Sequence, residues 1–318
     1  MAREKKDISE MLGIIPSLHT PFNENNEIDI VSLRKLIDHT VATGCAGMLV
    51  GAVAGENGSL SFDEKNILLN ECVTYNNNRI PIIISCTAKN QIERIELSKN
   101  AKELGADWIL CQAPENIFGN ELLKCFYEIA EVGPDNLMIQ DLSWTDYGMS
   151  DDDIILLNKN VKKFKSLKIE VLNSGPKYTK VFNITNNQLH LSGGWAIMGM
   201  IEALNRGVHA LIPSTMEVIY NKIYNFYIEN KIEDSRRLFS QILPILSFTH
   251  QHIDISIKFS KMLRVEEGIF STSICRKPIK NFDKFQLEEA SLHISKVLKL
   301  QNHLKKTKLF FIKSFNSL

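Results

Sequence analysis

The chain has 318 residues, of which 44% are apolar and 23% are charged, a balance typical of a globular protein. Its 37 Lys and Arg residues equal its 37 Asp and Glu residues, so the formal net charge is zero. A nucleic-acid binder, or a protein drawn to an acidic membrane, needs an excess of positive charge, and the composition therefore argues against both.

Targeting and metal-binding signals are also missing from the sequence. The apolar runs are too short to cross a bilayer, and the first ten residues lack the apolar core of a secretory signal. The six cysteines lie far apart without a C-x-x-C pair, which favours reduced thiols. We predict a cytoplasmic protein with no metal site and no cofactor.

Short apolar segments rich in Ile, Leu and Val recur along the chain and predict eight strands. In chain order, they begin at Ile14, Ala46, Ile80, Asp107, Asn136, Ser166, Leu189 and Val208. Each is almost continuously apolar, as a strand buried on both faces should be. Strands of this kind belong to parallel sheets that are covered by helices.

Amphipathic segments lie between these strands and predict helices. One begins at Ile28, a second follows Ser61 with the capping-box residue Glu64, and a third runs from Gln91 to Gly105. Strand and helix in repeated alternation predict an α/β fold in which eight parallel strands form a TIM barrel. The alternative is a doubly wound open sheet, but the G-x-G-x-x-G fingerprint is absent after the first strand.

The pattern after about residue 230 is helical only. Helices are predicted over 236–248 and 285–304, with no strand between them. We therefore divide the chain into a TIM barrel, residues 1–230, and a C-terminal helical appendage, residues 231–318. We expect the appendage to pack on the barrel.

The sixth predicted strand carries two charged residues, in the segment F-K-S-L-K-I-E-V. Lys168 and Glu170 are two positions apart and so share one face of the strand, which is the barrel lumen in this fold. Burial disfavours the charged form of an amine, and a neutral amine attacks a carbonyl carbon. A neighbouring carboxylate can then move protons. The alternative is a plain ion pair between the two side chains.

Several segments, in this order and spacing, resemble the dihydrodipicolinate synthase and N-acetylneuraminate lyase family. They are G-I-I-P-S-L-H-T-P-F-N from Gly13, G-C-A-G-M-L-V-G-A-V-A-G-E from Gly44, L-K-I-E from Leu167, G-V-H-A-L-I-P-S-T from Gly207 and R-K-P from Arg276. The resemblance spans roughly residues 12–295. It implies a TIM-barrel enzyme that forms a Schiff base through Lys168 with pyruvate or another 2-oxo acid. It also implies a homo-oligomer, either a dimer or a tetramer.

The stretch after the second strand departs from the family pattern. Members usually carry G-T-T-G-E there, with hydroxyls that hold the substrate carboxylate, whereas this chain has A-V-A-G-E at 52–56. Without those hydroxyls, we expect the backbone amides of Val53 and Ala54 to bind the carboxylate, as backbone N–H groups can form an anion nest.

The end of the fifth strand departs as well. Gln140 stands where members have a tyrosine proton relay, and a glutamine cannot relay protons as a phenol does. The segments I-Q-D and K-I-E together resemble a narrower branch, the 2-keto-3-deoxy sugar acid dehydratases, in which the glutamate acts as acid and base. By that likeness Glu170 is catalytic, and Gln140 belongs to the same site.

These features predict a lyase that carries out aldol cleavage, aldol condensation or dehydration on a lysine-bound 2-oxo acid. Two alternatives remain open: a 2-keto-3-deoxy sugar acid dehydratase specifically, or a catalytically idle small-molecule sensor or scaffold. Retention of the Lys168–Glu170 pair argues against the idle alternative, since a scaffold has no need of it.

Further site candidates lie at predicted strand ends. Thr20 contacts the substrate or caps its loop, and Asp141 binds a substrate hydroxyl, orients Gln140 or forms an Asx turn. Gly193, between Ser192 and Gly194, allows close approach of a ligand or serves a plain turn. Rim aromatics wall the pocket or pack together; they are Trp144, Tyr147 and Trp195.

Overall fold

The computed structural model describes residues 11–315, with the side chains of all but 196–197 and 306–315. All eight predicted strands are confirmed. They are β1 (Gly13–Ile14), β2 (Met48–Val50), β3 (Ile82–Ser85), β4 (Trp108–Gln112), β5 (Leu137–Leu142), β6 (Phe164–Glu170), β7 (His190–Gly193) and β8 (Ala210–Leu211).

These strands form one parallel sheet in the order β1-β8-β7-β6-β5-β4-β3-β2. Backbone hydrogen bonds also join β2, at one end of this order, to the residues that follow β1, at the other end. The Leu49 amide donates to the Pro16 carbonyl at 2.9 Å, and the Leu18 amide donates to the Leu49 carbonyl at 2.8 Å. The sheet therefore closes on itself, and the predicted TIM barrel is confirmed.

Helices follow the strands in alternation and then continue alone. They are α1 (Ile30–Ala42), α2 (Phe62–Asn76), α3 (Gln91–Leu104), α4 (Gly119–Val132), α5 (Asp151–Asn160), α6 (Ser174–Ile184), α7 (Met200–Asn205), α8 (Glu217–Ile228), α9 (Ile232–Thr249), α10 (Ile253–Glu266) and α11 (Lys284–Phe315). The predicted capping box of Ser61 and Glu64 is present at the start of α2. Gly105 ends α3 with φ 83°, a backbone conformation that glycine adopts without strain.

An apolar cluster fills part of the barrel interior. Its buried members come from most of the strands; they are Met11, Ile15, Leu49, Ala52, Ile83, Trp108, Leu110, Met138, Ala210 and Ile212. Trp108 and Leu110 are two apart in β4, as inward-facing residues of a strand must be. Each such aliphatic side chain contributes about 1.5–3 kcal/mol by leaving water. The cluster also identifies which face of each strand points inward.

A buried histidine lies at the start of β7. His190 Nδ1 is 2.9 Å from Ser166 Oγ, and its Nε2 is 2.9 Å from the Met11 carbonyl oxygen. The ring of His209 stacks on it with centroids 4.9 Å apart. Burial lowers the pKa of His190 to about 4, so the ring is neutral near pH 7.

The chain forms two compact units. The first comprises the described residues up to Thr20 and Cys45–Pro213, and it contains all eight strands and helices α2 to α7. The second comprises Pro21–Gly44 and the residues from Ser214 onward, and it contains α1 and α8 to α11. The predicted boundary near residue 230, with packing of the appendage on the barrel, stays a prediction.

Up to residue 315, three helices rather than the two predicted follow residue 230. The additional helix is α10, whose sequence begins I-D-I-S-I-K-F. Apolar and polar residues alternate there with a period of two, which hides the helical period. None of the helices within residues 11–315 is long and apolar enough to span a membrane.

The second unit has a buried charge cluster. The Arg264 guanidinium is fully buried and donates to Glu217 and, at 2.8 Å, to Glu267. Burial opposes ionisation of Glu217, but the interactions of the carboxylate with Arg264 and His39 together outweigh it and lower the pKa of Glu217 to about 2. Removing any one of these three side chains leaves a buried charge with fewer partners.

Candidate active site

Lys168 lies in the middle of the barrel wall. In the strand register it is opposite Gln140 of β5 on one side and Ser192 of β7 on the other. Met138 precedes Gln140 by two residues and belongs to the interior cluster, so this face of the strands points into the barrel. The Lys168 side chain is only 4% exposed.

Glu170 lies on the same face, at the C-terminal end of β6. Its Oε2 accepts hydrogen bonds from Lys168 Nζ, at 2.7 Å, and from Gln140 Nε2. Its Oε1 accepts a hydrogen bond from the Trp195 backbone amide at 2.9 Å. The structure thus brings three predicted residues, Lys168, Glu170 and Gln140, into direct contact. The two carboxylate oxygens face different partners.

The hydroxyl of Ser192 is a polar group next to the lysine. Ser192 is fully buried, and its Oγ has no hydrogen-bond partner among the described residues. A buried hydroxyl left without a partner costs about 1–3 kcal/mol. A polar ligand atom beside Lys168 is the kind of group that would remove this cost.

The predicted carboxylate-binding segment forms a short 3-10 turn, Val53–Gly55, after β2. The first amides of such a turn have no carbonyl partner within it. The Thr20 hydroxyl donates to the Gly55 carbonyl at 2.7 Å and so ties the end of the first strand segment to this turn. Binding of a substrate carboxylate by Val53 and Ala54, or of a substrate by Thr20, stays a prediction.

Asp141 points to the opposite face of β5 from Gln140, because it is opposite Ile169 in the register. Its Oδ2 is 2.5 Å from Lys177 Nζ, and its Oδ1 accepts from the Met149 amide at 2.8 Å. Burial raises the pKa of Asp141 and lowers that of Lys177, and each shift is opposed by the partner's charge. The carboxylate ties α6 to the loop after β5, and its predicted contact with a substrate stays a prediction.

The other rim candidates have mixed surroundings. Gly193 is opposite Ile169 in the strand register, so it is part of the barrel wall. The rings of Trp144 and Trp195 meet edge to face, with centroids 5.1 Å apart. Lys177 Nζ lies 4.0 Å from the ring centroid of Tyr147, so this tyrosine packs on the ion pair.

Two functional contacts escaped prediction from the sequence. The Trp195 amide was missed because a backbone donor has no residue signature, although the two glycines before it mark a place where another side chain can approach. Lys177 was missed because it lies on helix α6, whereas its partner Asp141 lies on strand β5. Among residues 11–315, no group of three or more His, Cys, Asp and Glu side chains is placed to hold a metal ion.

The sequence has recognisable relatives. The model of the dihydrodipicolinate synthetase family matches residues 10–299. The chain is 35% identical to the 4-hydroxy-tetrahydrodipicolinate synthase of Lactobacillus acidophilus over 102 residues, which is only 33% of that protein and 32% of this chain. It is 24% identical to the Exiguobacterium sibiricum enzyme of the same name, over 74% of this chain and 81% of the relative.

Solved structures share the fold across most of the chain. A dihydrodipicolinate synthase from Rhodopseudomonas palustris superposes with a TM-score of 0.82 at 19% identity, covering 92% of this chain and 99% of that one. A catalytic-lysine mutant of the Ruminococcus gnavus sialic acid aldolase gives 0.83 at 14% identity, covering 94% and 99%. The family match across nearly the whole chain, together with this barrel, shows that the protein belongs to the dihydrodipicolinate synthetase family.

Proposed function

We propose that this chain is a lyase in which Lys168 forms a Schiff base with pyruvate or another 2-oxo acid. The main observation in support is the 2.7 Å contact between Lys168 Nζ and Glu170 Oε2 on the lumen face of β6. Active sites of TIM barrels lie at the C-terminal ends of the strands, where this pair lies. Family membership supports the proposal, and one structural relative is an aldolase with a catalytic lysine.

Glu170 supplies the proton transfers of imine formation. It takes a proton from the Lys168 ammonium, so that the nitrogen can attack the carbonyl carbon. A second N–H proton then moves to the carbonyl oxygen, and the proton held by Glu170 joins that oxygen as it leaves as water. The product is a protonated imine beside an ionised Glu170.

The next step starts from this imine, which withdraws electrons from the neighbouring carbon. Glu170 removes a proton from that carbon and an enamine forms. In dehydration the enamine expels a β-hydroxyl, which leaves as water with the proton of Glu170. In aldol condensation the enamine attacks an aldehyde, and the same proton goes to the new alkoxide. Gln140 holds Glu170 and transfers no proton.

Backbone and hydroxyl groups complete the site in this proposal. The amides of Val53 and Ala54 bind the substrate carboxylate, and Thr20 supports their turn through Gly55. The Ser192 hydroxyl, which has no partner among the described residues, donates to the bound 2-oxo acid. Substrate binding therefore depends on few charged groups beyond the lysine.

A second candidate function is dehydration of a 2-keto-3-deoxy sugar acid specifically. The observation that favours it is the contact of Gln140 with Glu170, because Gln140 stands where a relay tyrosine is expected and cannot pass a proton. One carboxylate beside the imine then performs both proton transfers, which suffices for loss of water from adjacent carbons.

Borohydride trapping tests the proposal. The protein is mixed separately with pyruvate and with a 2-keto-3-deoxy sugar acid, reduced, and measured by intact mass and peptide mapping. We expect an adduct on Lys168 that is lost in Lys168→Ala and kept in Lys165→Ala, a half-buried lysine of the same strand. An adduct with neither compound would reject the proposal and favour the idle sensor or scaffold. Analysis of the products formed from the sugar acid distinguishes the two activities. Release of pyruvate indicates an aldolase, and loss of water indicates a dehydratase.

A further inference from the structure

The turn after β7 holds the carboxylate of Glu170 from the side opposite the lysine. The Trp195 amide donates to Oε1 at 2.9 Å, while Oε2 accepts from Lys168 Nζ at 2.7 Å. A carboxylate held at one oxygen by a backbone donor has less freedom to rotate than one that is not held. Because the Trp195 amide holds Oε1, the oxygen that faces the Lys168 amine is Oε2.

Gly194 provides the space in which this carboxylate lies. A Cβ added at Gly194 would lie 2.9 Å from Glu170 Cγ and closer still to its Cδ and Oε1. These are the three nearest atoms, so the closest contacts would be with the end of the Glu170 side chain. The φ angle of Gly194 is not in the left-handed region, so its conformation does not require glycine. Glycine is needed at this position because any side chain would occupy the space of the Glu170 carboxylate.

The turn itself is held by an aromatic contact. The Trp195 ring meets the ring of Trp144 edge to face with centroids 5.1 Å apart, and Trp144 belongs to the loop after β5. Edge-to-face pairs of this kind are favourable. The loops after two strands thus fix the position of one backbone amide.

We infer that Gly194 and the Trp195 amide form a positioning clamp for Glu170, which keeps Oε2 beside the Lys168 nitrogen and the carbon next to the imine. The inference rests on the proposed function. Both groups act through Glu170 and are positioning groups. When the lysine nitrogen becomes an imine and its hydrogen bonding to Oε2 changes, the amide still holds the carboxylate in place.

The clamp predicts that Gly194→Ala separates two activities. A Cβ would push the flexible end of Glu170 aside, so the barrel still folds. Imine formation also slows, because Glu170 serves that step, but with excess pyruvate Lys168 still reaches its equilibrium level of imine. Removal of the carbon proton, which needs the carboxylate in position, slows on the order of 10²–10⁴-fold, the range for loss of a general base. Gly199→Ala is the matched control, because its Cβ would meet nothing closer than 3.8 Å.

The experiment uses pyruvate as the probe. Borohydride trapping measures the imine, and exchange of the pyruvate methyl protons with D₂O, followed by NMR, measures carbon deprotonation. After incubation to equilibrium, we expect Gly194→Ala to trap pyruvate but to exchange its methyl protons slowly, and Gly199→Ala to match the unmodified protein. The double variant with Glu170→Gln should exchange no more slowly than Glu170→Gln alone, since both changes remove the same function.

The outcomes distinguish the two levels of the proposal. Failure of the unmodified protein to trap either pyruvate or a 2-keto-3-deoxy sugar acid rejects the proposed function itself. Normal exchange in Gly194→Ala, loss of its trapping after incubation to equilibrium, or additive loss in the double variant would overturn the clamp alone. Stability gives an independent readout: Gly194→Ala should lower the melting temperature when Glu170 is present, but not in a Glu170→Ala background, where the space is free. Equal effects in both backgrounds would also overturn the clamp.

Discussion

Replacing Asp141 by Asn tests whether the buried ion pair with Lys177 stabilises the first unit. The two charged atoms are 2.5 Å apart, and the side chains are 1% and 0% exposed. With an effective dielectric constant of about 20, their mutual attraction is about 7 kcal/mol. Most of that attraction offsets the cost of removing both charges from water, so the net contribution is much smaller.

Breaking the pair is a different matter, because it leaves one charge buried alone. Removal of one partner of such a pair costs about 3–5 kcal/mol. In Asp141→Asn, Lys177 Nζ keeps its hydrogen bonds to the carbonyls of Tyr147, at 2.5 Å, and Met149, at 2.9 Å. We therefore expect a loss near the lower end, about 3 kcal/mol in the free energy of unfolding.

Urea unfolding at pH 7 measures this loss. Glu103→Gln is the control, since its ion pair with Lys99 is 3.8 Å long and mostly exposed, and it should cost less than about 1 kcal/mol. In the Asp141→Asn background, Lys177→Met should cost less than it does alone, because the stranded charge is removed. A loss below about 1 kcal/mol for Asp141→Asn would refute the assignment of a stabilising role to this pair.

Three further predictions use other buried groups. Ser192→Ala should leave the melting temperature unchanged or raised, because it removes an unpartnered hydroxyl, and it should weaken pyruvate capture in trapping; a clear loss of stability would contradict this. Glu217→Gln should lower the unfolding free energy by about 3 kcal/mol in urea, since the buried Arg264 loses one of its two carboxylate partners and keeps Glu267; a loss near that of an exposed pair would disprove it. His190 has a pKa of about 4 in the folded state against a usual 6.5, so the unfolded state binds more protons between those values. The unfolding free energy should therefore fall by up to about 3 kcal/mol as pH drops from 6.5 to 4. The pKa of His250 is also lowered to about 4, so it contributes a similar fall. His190→Gln should therefore reduce the slope without abolishing it, and an unchanged slope would argue against the histidine account.

The sequence by itself determined the strands and the architecture of the barrel. Short continuous runs of Ile, Leu and Val predict strands buried on both faces, and their alternation with helices leaves few ways to cover both faces. It also placed Lys168 and Glu170 on one face, because residues two apart in a strand point the same way. The helix α10 was not predicted, because apolar and polar residues alternate at its start with the period of a strand.

Only the tertiary structure decided which groups surround the lysine. The Trp195 amide reaches Glu170 from another strand's loop, and Lys177 reaches Asp141 from a following helix. Local patterns in a sequence report the period and the face of one element, but a hydrogen-bond partner depends on how separate elements are placed. The space beside Gly194 is the clearest case. The sequence shows that this residue has no side chain, but it does not show that Glu170, from another strand, occupies the space.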